Sequence, residues 1–179
     1  MPPRLVVVTC PPGAGKTILA RALRDRLGLP LIAKDALKEA LGEHVDVAGD
    51  RAASQRLGVA TFAVQLEVAR ELLAAGVSLI VEGNFRSAEF FTGLPPAEIA
   101  QVHVTAAPEA LRERLLARDM HRHRVHYDRE AADEIAELAR AGDWPPLPLG
   151  GVLVQVDTTG AWPDADRVAR RLEPRSARG

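Results

Sequence analysis

The sequence predicts an α/β chain, a three-layer α/β/α sandwich around a five-stranded parallel sheet, and three observations lead there. Five short runs rich in Val, Ile and Leu, at residues 5–9, 31–33, 77–81, 101–105 and 152–156, lack polar alternation. Runs of that kind suit strands covered on both faces, as in a parallel sheet. Helical patterns lie between them, at 16–27, 36–41, about 52–74, 108–118, 129–141 and 163–172, and alternating strands and helices imply βαβ units. Finally, a glycine-rich turn joins the first strand directly to the first helix.

Punctuation supports the elements in order. Gly28 and Gly76 follow helical patterns as C-terminal stops, and Asp128 stands where an N-cap is expected before Arg129. The segment 143–151, with three prolines and two glycines, reads as a loop leading into the last strand. A length of 179 residues fits one domain, expected over 1–174 with a short lid near 118–129 and a disordered tail at 175–179. The 23 basic and 24 acidic side chains nearly cancel, so no global field draws the chain to nucleic acid or membrane. Cys10 is the one cysteine, which excludes an internal disulfide and suits a cytoplasmic location. The apolar start is too short for a signal sequence, and no run reaches the roughly 18–20 apolar residues of a membrane span.

Residues 10–17 read CPPGAGKT. The phosphate-loop pattern is G-x-x-x-x-G-K-[ST], and the departure is Cys10 at its first position. Successive backbone N–H groups in such a turn form a concave anion site, and the helix N-terminus adds its positive end. Pro12, Gly13, Ala14 and Gly15 form that cradle, and the two glycines allow close backbone approach. Lys16 supplies charge to the β- and γ-phosphates of ATP or GTP, and the Thr17 hydroxyl is placed to ligate Mg²⁺. Cys10, at a strand end, reads as a small packing residue rather than a reactive thiol.

Ligands of open parallel sheets gather at the carboxyl ends of the strands. Asp35 follows the second strand there, as a base for an attacking hydroxyl or as a helix cap. The neighbouring Lys34 and Lys38 read as solvated surface charges. At the third strand stand Glu82, Asn84 and Arg86, offering a carboxylate for Mg²⁺ or substrate, an amide and a cation for an anionic group. After the fifth strand, 157–160 (DTTG) brings Thr158 within reach of a nucleotide base, and is equally ordinary turn chemistry. Arg114, Arg118 and Arg122 recur at four-residue spacing, so they share a face if the helix continues. Arginines on a lid can neutralise charge during phosphoryl transfer. Arg112 reads as a solvated charge paired with Glu113 or Asp119. The histidines 121, 123 and 126 invite a metal reading, which the interleaved arginines oppose. Tyr127 alone could stack on a base of nucleic acid in this stretch.

CPPGAGKT, Lys34-Asp35, VEGNF at 81–85 and the R-x-x-x-R lid together resemble the small P-loop kinases, most closely the chloramphenicol phosphotransferase group and related antibiotic phosphotransferases, including the capuramycin type. Zeta-toxin-type kinases, gluconate kinase and the kinase domain of polynucleotide kinase are more distant relatives by the same motifs. The resemblance implies strand order 2-3-1-4-5 with the phosphate loop after the central strand. It also implies that Asp35 is the general base, that Arg118 and Arg122 act on the transferring phosphate, and that His123 belongs to the lid's acceptor side. Relatives often carry Pro-Gly where this chain has Arg124-Val125. The expected activity is transfer of the γ-phosphoryl group to a hydroxyl of a small molecule, an antibiotic among the candidates. A toxin-like nucleotide-sugar kinase, a metabolite kinase and a nucleotide-dependent switch are the alternatives.

Overall fold

The first apolar run becomes β1 (Arg4–Thr9), the middle strand of the sheet. A computed structural model describes residues 2–47, 50–118 and 123–172. After β1 come α1 (Lys16–Leu27), β2 (Leu31–Ala33), α2 (Lys34–Gly42) and α3 (Arg51–Ala74). The chain continues through β3 (Leu79–Gly83), β4 (Glu98–Thr105), α4 (Pro108–Arg118), α5 (Asp128–Arg140), β5 (Val152–Asp157) and α6 (Ala165–Leu172). All strands pair in parallel, in the order β2-β3-β1-β4-β5. No described helix is long and apolar enough to cross a membrane.

Alternate residues of β1 enter opposite layers. Val6 and Val8 pack with Leu19 and Leu23 of α1, Leu111 and Leu115 of α4, and Val168 of α6. Leu5 and Val7 pack with Ala69 and Leu73 of α3, and with Val81 and Leu147. Each such buried aliphatic side chain stabilises the fold by roughly 1.5–3 kcal/mol. Two layers of this kind explain why β1 shows no polar alternation.

The expectation of two covered faces fails at β5. Val154 and Val156 are buried, while Leu153, Gln155 and Asp157 are exposed. β5 is an edge strand packed on one face, so alternation returns. On the face that β5 leaves open, its inner neighbour β4 is covered by the proline-rich segment 143–149. There His103 Nε2 bonds to the Trp144 carbonyl at 2.8 Å. In the orientation that satisfies both ends, the Gln101 amide donates to the Leu147 carbonyl and accepts from its N–H, at 3.0 and 2.9 Å.

Several boundaries also move. β3 runs two residues further than its apolar pattern, which brings Glu82 inside the strand. β4 begins three residues earlier, at Glu98, and α6 begins after Pro163 rather than at it. α2 begins at Lys34, with Ala33 as N-cap, so Asp35 is not a cap. A carboxylate in that first turn instead meets the positive end of the helix dipole. Asp128 is likewise the first residue of α5 rather than its cap. Gly28 does end α1, at φ 64° with its N–H on the Arg24 carbonyl.

Candidate active site

The turn after β1 is built by glycine conformation and close packing. Gly13 and Gly15 adopt φ of 88° and 82°, a region that L side chains avoid. A Cβ on Gly15 would also lie 2.7 Å from Cη2 of Trp162, and one on Gly13 would lie 3.1 Å from the Leu111 carbonyl oxygen. Both positions therefore require glycine twice over. Cys10 is fully buried in the core beside this turn, its thiol donating to the Pro11 carbonyl at 2.8 Å. Burial pushes that thiol up to about 11. It is a packing residue, and Ala14 is likewise buried in the core.

Lys16 and Thr17 converge on a fully buried glutamate. Lys16 Nζ lies 3.6 Å from Glu82 Oε1, and the Thr17 hydroxyl donates to Glu82 Oε2 at 3.2 Å. Parallel register explains the meeting, since Glu82 pairs with Val8 on one side and Ala33 on the other. Burial opposes the charge on Lys16, but Cys10, Glu82 and Asp35 outweigh it and hold the ammonium above the usual lysine range. The thiol is neutral at pH 7, so its share of that field is absent under ordinary conditions. Burial pushes the Glu82 carboxyl up, while Lys16 draws it back. Glu82 Oε1 has no hydrogen-bond partner among the described residues, the Lys16 ammonium standing just beyond that range. A hydroxyl and a buried carboxylate with an unsatisfied oxygen are hard donors suited to Mg²⁺, which takes few protein ligands beside phosphate and water.

Two cavities share a wall at this point. The larger, about 360 Å³, is lined by the glycine turn, Lys16, Thr17, Arg114, Arg118 and Trp162. The smaller, about 90 Å³, is lined by Pro12, Lys34, Asp35, Asn84, His126 and Asp128, again with Lys16 and Arg118. Arg118 is fixed by Asp128, its Nε donating to Oδ2 at 2.6 Å. The ion pair explains the buried position of Asp128 at the start of α5. Lys16 and Arg118 are thus the residues on both cavities.

Other expected site residues sit elsewhere. Arg86 turns to the surface, donating to Asp143 at 2.6 Å and lying 5.1 Å from the Trp144 ring. His123 pairs with Glu43 at the end of α2, and His126 faces Glu39 at 3.0 Å. Thr158 is buried beneath the phosphate turn, its hydroxyl engaged with the carbonyls of Ala14 and Thr105 at 3.0 and 3.1 Å and with Arg114. It braces the turn from below. Arg112 pairs with Asp133 across α4 and α5. Arg122 and His121 lie outside the described residues.

Sequence reasoning missed two residues that line the cavities, Lys34 and Trp162. Lys34 and Lys38 are not solvated, and only 11% of the Lys34 side chain is exposed. Arg114 stacks over Trp162 at 5.3 Å, and both line the larger cavity. A tryptophan in a glycine- and proline-bearing loop at a strand's carboxyl end was the available signal for Trp162. For Lys34 it was adjacency to Asp35.

A family model described as an AAA domain matches residues 6–135. No curated protein matches the sequence. Among solved structures, a candidate kinase from Chloroflexus aurantiacus J-10-fl is 37% identical, covering 95% of this chain and 96% of that one, with a TM-score of 0.85. A gluconokinase from Sinorhizobium meliloti 1021 is 20% identical, with coverage of 96% and 90% and a TM-score of 0.57. A shikimate kinase from Bacteroides thetaiotaomicron is also 20% identical, with coverage of 94% and 96% and a TM-score of 0.58. These last two share the fold. By its motif, its sheet order and the extent of the match, the chain belongs to this AAA-domain family and carries the P-loop kinase fold.

Proposed function

We propose that the protein is a kinase that moves the γ-phosphoryl group of ATP or GTP to a hydroxyl of a small molecule. One observation supports this most directly: a phosphate-binding cavity and a carboxylate-bearing cavity meet at Lys16 and Arg118. A nucleotide-dependent switch needs the first cavity and has no use for the second.

In this reading the loop N–H groups and Lys16 hold the triphosphate, and Trp162, 55% exposed at the cavity mouth, offers a face to the base. Thr17 and Glu82 would hold Mg²⁺, which neutralises phosphate charge when bound. Asp35 accepts the proton of the acceptor hydroxyl as its oxygen bonds to the γ-phosphorus. The bond from that phosphorus to the bridging β–γ oxygen breaks, and the nucleoside diphosphate departs. Arg118, held by Asp128, stabilises charge where the two cavities join. Asn84 orients the acceptor. The metabolite and antibiotic readings share all of these steps, and the gluconokinase and shikimate kinase folds support the metabolite reading.

Asp35→Asn tests the proposal. It is expected to retain nucleotide affinity and to lose about 10²–10⁴-fold in kcat on any acceptor found by mass gain of one phosphate. Turnover near the parent value would remove Asp35 from the mechanism.

A further inference from the structure

The small cavity contains a cation that the reaction, as described, does not use. Lys34 projects from the first turn of α2 beside Asp35 and is walled on one side by the Phe62 ring, 5.4 Å from its Nζ. Its ionic partner is Asp35, with Nζ 3.5 Å from Oδ1, at the long end of hydrogen-bond range. That carboxylate is also the base of the proposed transfer. Once Asp35 takes the acceptor's proton its charge is gone, and Lys34 is left as a buried ammonium without its direct ion-pair partner, with Glu82 as the remaining, more distant carboxylate. Isolating a buried charge is among the costliest arrangements a protein can adopt.

The surroundings leave room for a second counter-ion. Gly58 of α3 faces Lys34, and a Cβ there would lie 3.7 Å from Lys34 Nζ and 4.0 Å from Lys38 Nζ. Glycine at this buried helical position keeps a notch open between two lysines. Lys38 is held in place by the Ser54 hydroxyl at 2.7 Å and the Val125 carbonyl at 2.9 Å. Of the other charged groups on the cavity, Arg118 and Asp128 are bonded to each other, and Lys16 faces the phosphate turn and Glu82. His126 faces Glu39.

We propose that the acceptor is a small anion, and that Lys34 binds its carboxylate or phosphate ester while its hydroxyl meets Asp35. This deepens the kinase reading and rests on it. The acceptor's anion keeps Lys34 paired throughout transfer, so Asp35 can change charge without stranding its neighbour. A cavity of about 90 Å³ fits a group of that size. Burial holds Lys34 below the usual lysine range, and a bound anion would favour its charged form.

The test uses the full chain loaded with Mg²⁺ and a non-hydrolysable ATP analogue, so that added anions cannot enter the phosphate cradle. Small polyols are offered in matched pairs, each carboxylate or phosphate ester beside its neutral amide or alcohol, and binding is followed by NMR shift perturbation. Acidic members are expected to bind about tenfold or more tightly than their neutral partners. Lys34→Met is expected to erase that preference, and Lys34→Arg to retain part of it. Gly58→Val, which keeps both lysines and narrows the notch, is expected to weaken acidic members by a similar factor.

The relative response to carboxylates and phosphate esters identifies the anion. Absence of binding by any acidic member, equal binding of neutral partners, or unchanged binding in Lys34→Met would overturn the inference. So would a fall in kcat on every acceptor with KM unchanged, because that marks Lys34 as a support for Asp35 alone. Phosphorylation is measured separately with ATP and GTP. An acid that binds through Lys34 but gains no phosphate counts against the kinase reading and leaves the anion site standing. A neutral acceptor phosphorylated equally by parent and Lys34→Met does the reverse.

Discussion

The two cavities are made in opposite ways. The phosphate cradle comes from eight consecutive residues, Cys10 to Thr17, and its binding groups are mostly backbone N–H groups set by two positive-φ glycines. The smaller cavity draws Lys34 and Asp35 from α2, Asn84 from just after β3, His126 from the segment before α5 and Asp128 from the start of α5. Its lining groups are side chains brought together from separate elements. One site is a local conformation, with Cys10 packed in the core beneath it. The other is a tertiary assembly that depends on how α2, α3 and the segment at 123–128 meet.

The largest expected effect tests how far the cradle is a backbone device. Lys16→Ala is expected to lower kcat/KM by on the order of 10³-fold and to weaken triphosphate binding in calorimetry. Triphosphate affinity equal to the parent's would mean that the backbone alone does the binding. A smaller effect tests the assembled wall. A Cβ on Gly42 would overlap Cγ1 of Val125, which is fully buried where the 123–127 segment meets the end of α2. Gly42→Ala is therefore expected to cost about 1–3 kcal/mol in urea unfolding and to raise acceptor KM without changing nucleotide affinity. Adding Val125→Ala should return part of that loss, the signature of direct coupling. Additive effects would separate the two residues.

The smallest effect is electrostatic. Lys34 is lowered in the folded protein, so between its folded value and the unfolded value of roughly 10.4 the unfolded chain binds the extra proton. Stability should then rise with pH across that alkaline window and lose the same component below it. Urea midpoints of Lys34→Met, measured over the same pH series, should follow a flatter course. An identical pH course in both would mean that burial leaves Lys34 unperturbed.

The same contrast explains what the sequence alone disclosed. β1, the glycine turn and α1 were legible because strand burial, φ requirements and helix start are encoded within a few residues of one another. Sheet order came from resemblance to a family, since nothing in an apolar run names its neighbour. Glu82 was recognisable as an acid at the ligand edge, yet its bond to Thr17 depends on parallel register between β1 and β3. Lys34 looked like any surface lysine, because Phe62 and Gly58 of α3 reach it only once α2 and α3 pack. Arg86 misled for the converse reason: Asp143, its partner, lies 57 residues away in the proline-rich loop.

The departure at the first motif position has a practical consequence. Cys10 is the single thiol of the chain, and it is fully buried between the central strand and the phosphate turn. A thiol reagent can reach it only when that junction opens, so the labelling rate reports the opening frequency of this one place. Ligands that tighten the turn would slow the reaction and those that leave it alone would not. The chain thus carries a native clock for its nucleotide site, readable without an added probe.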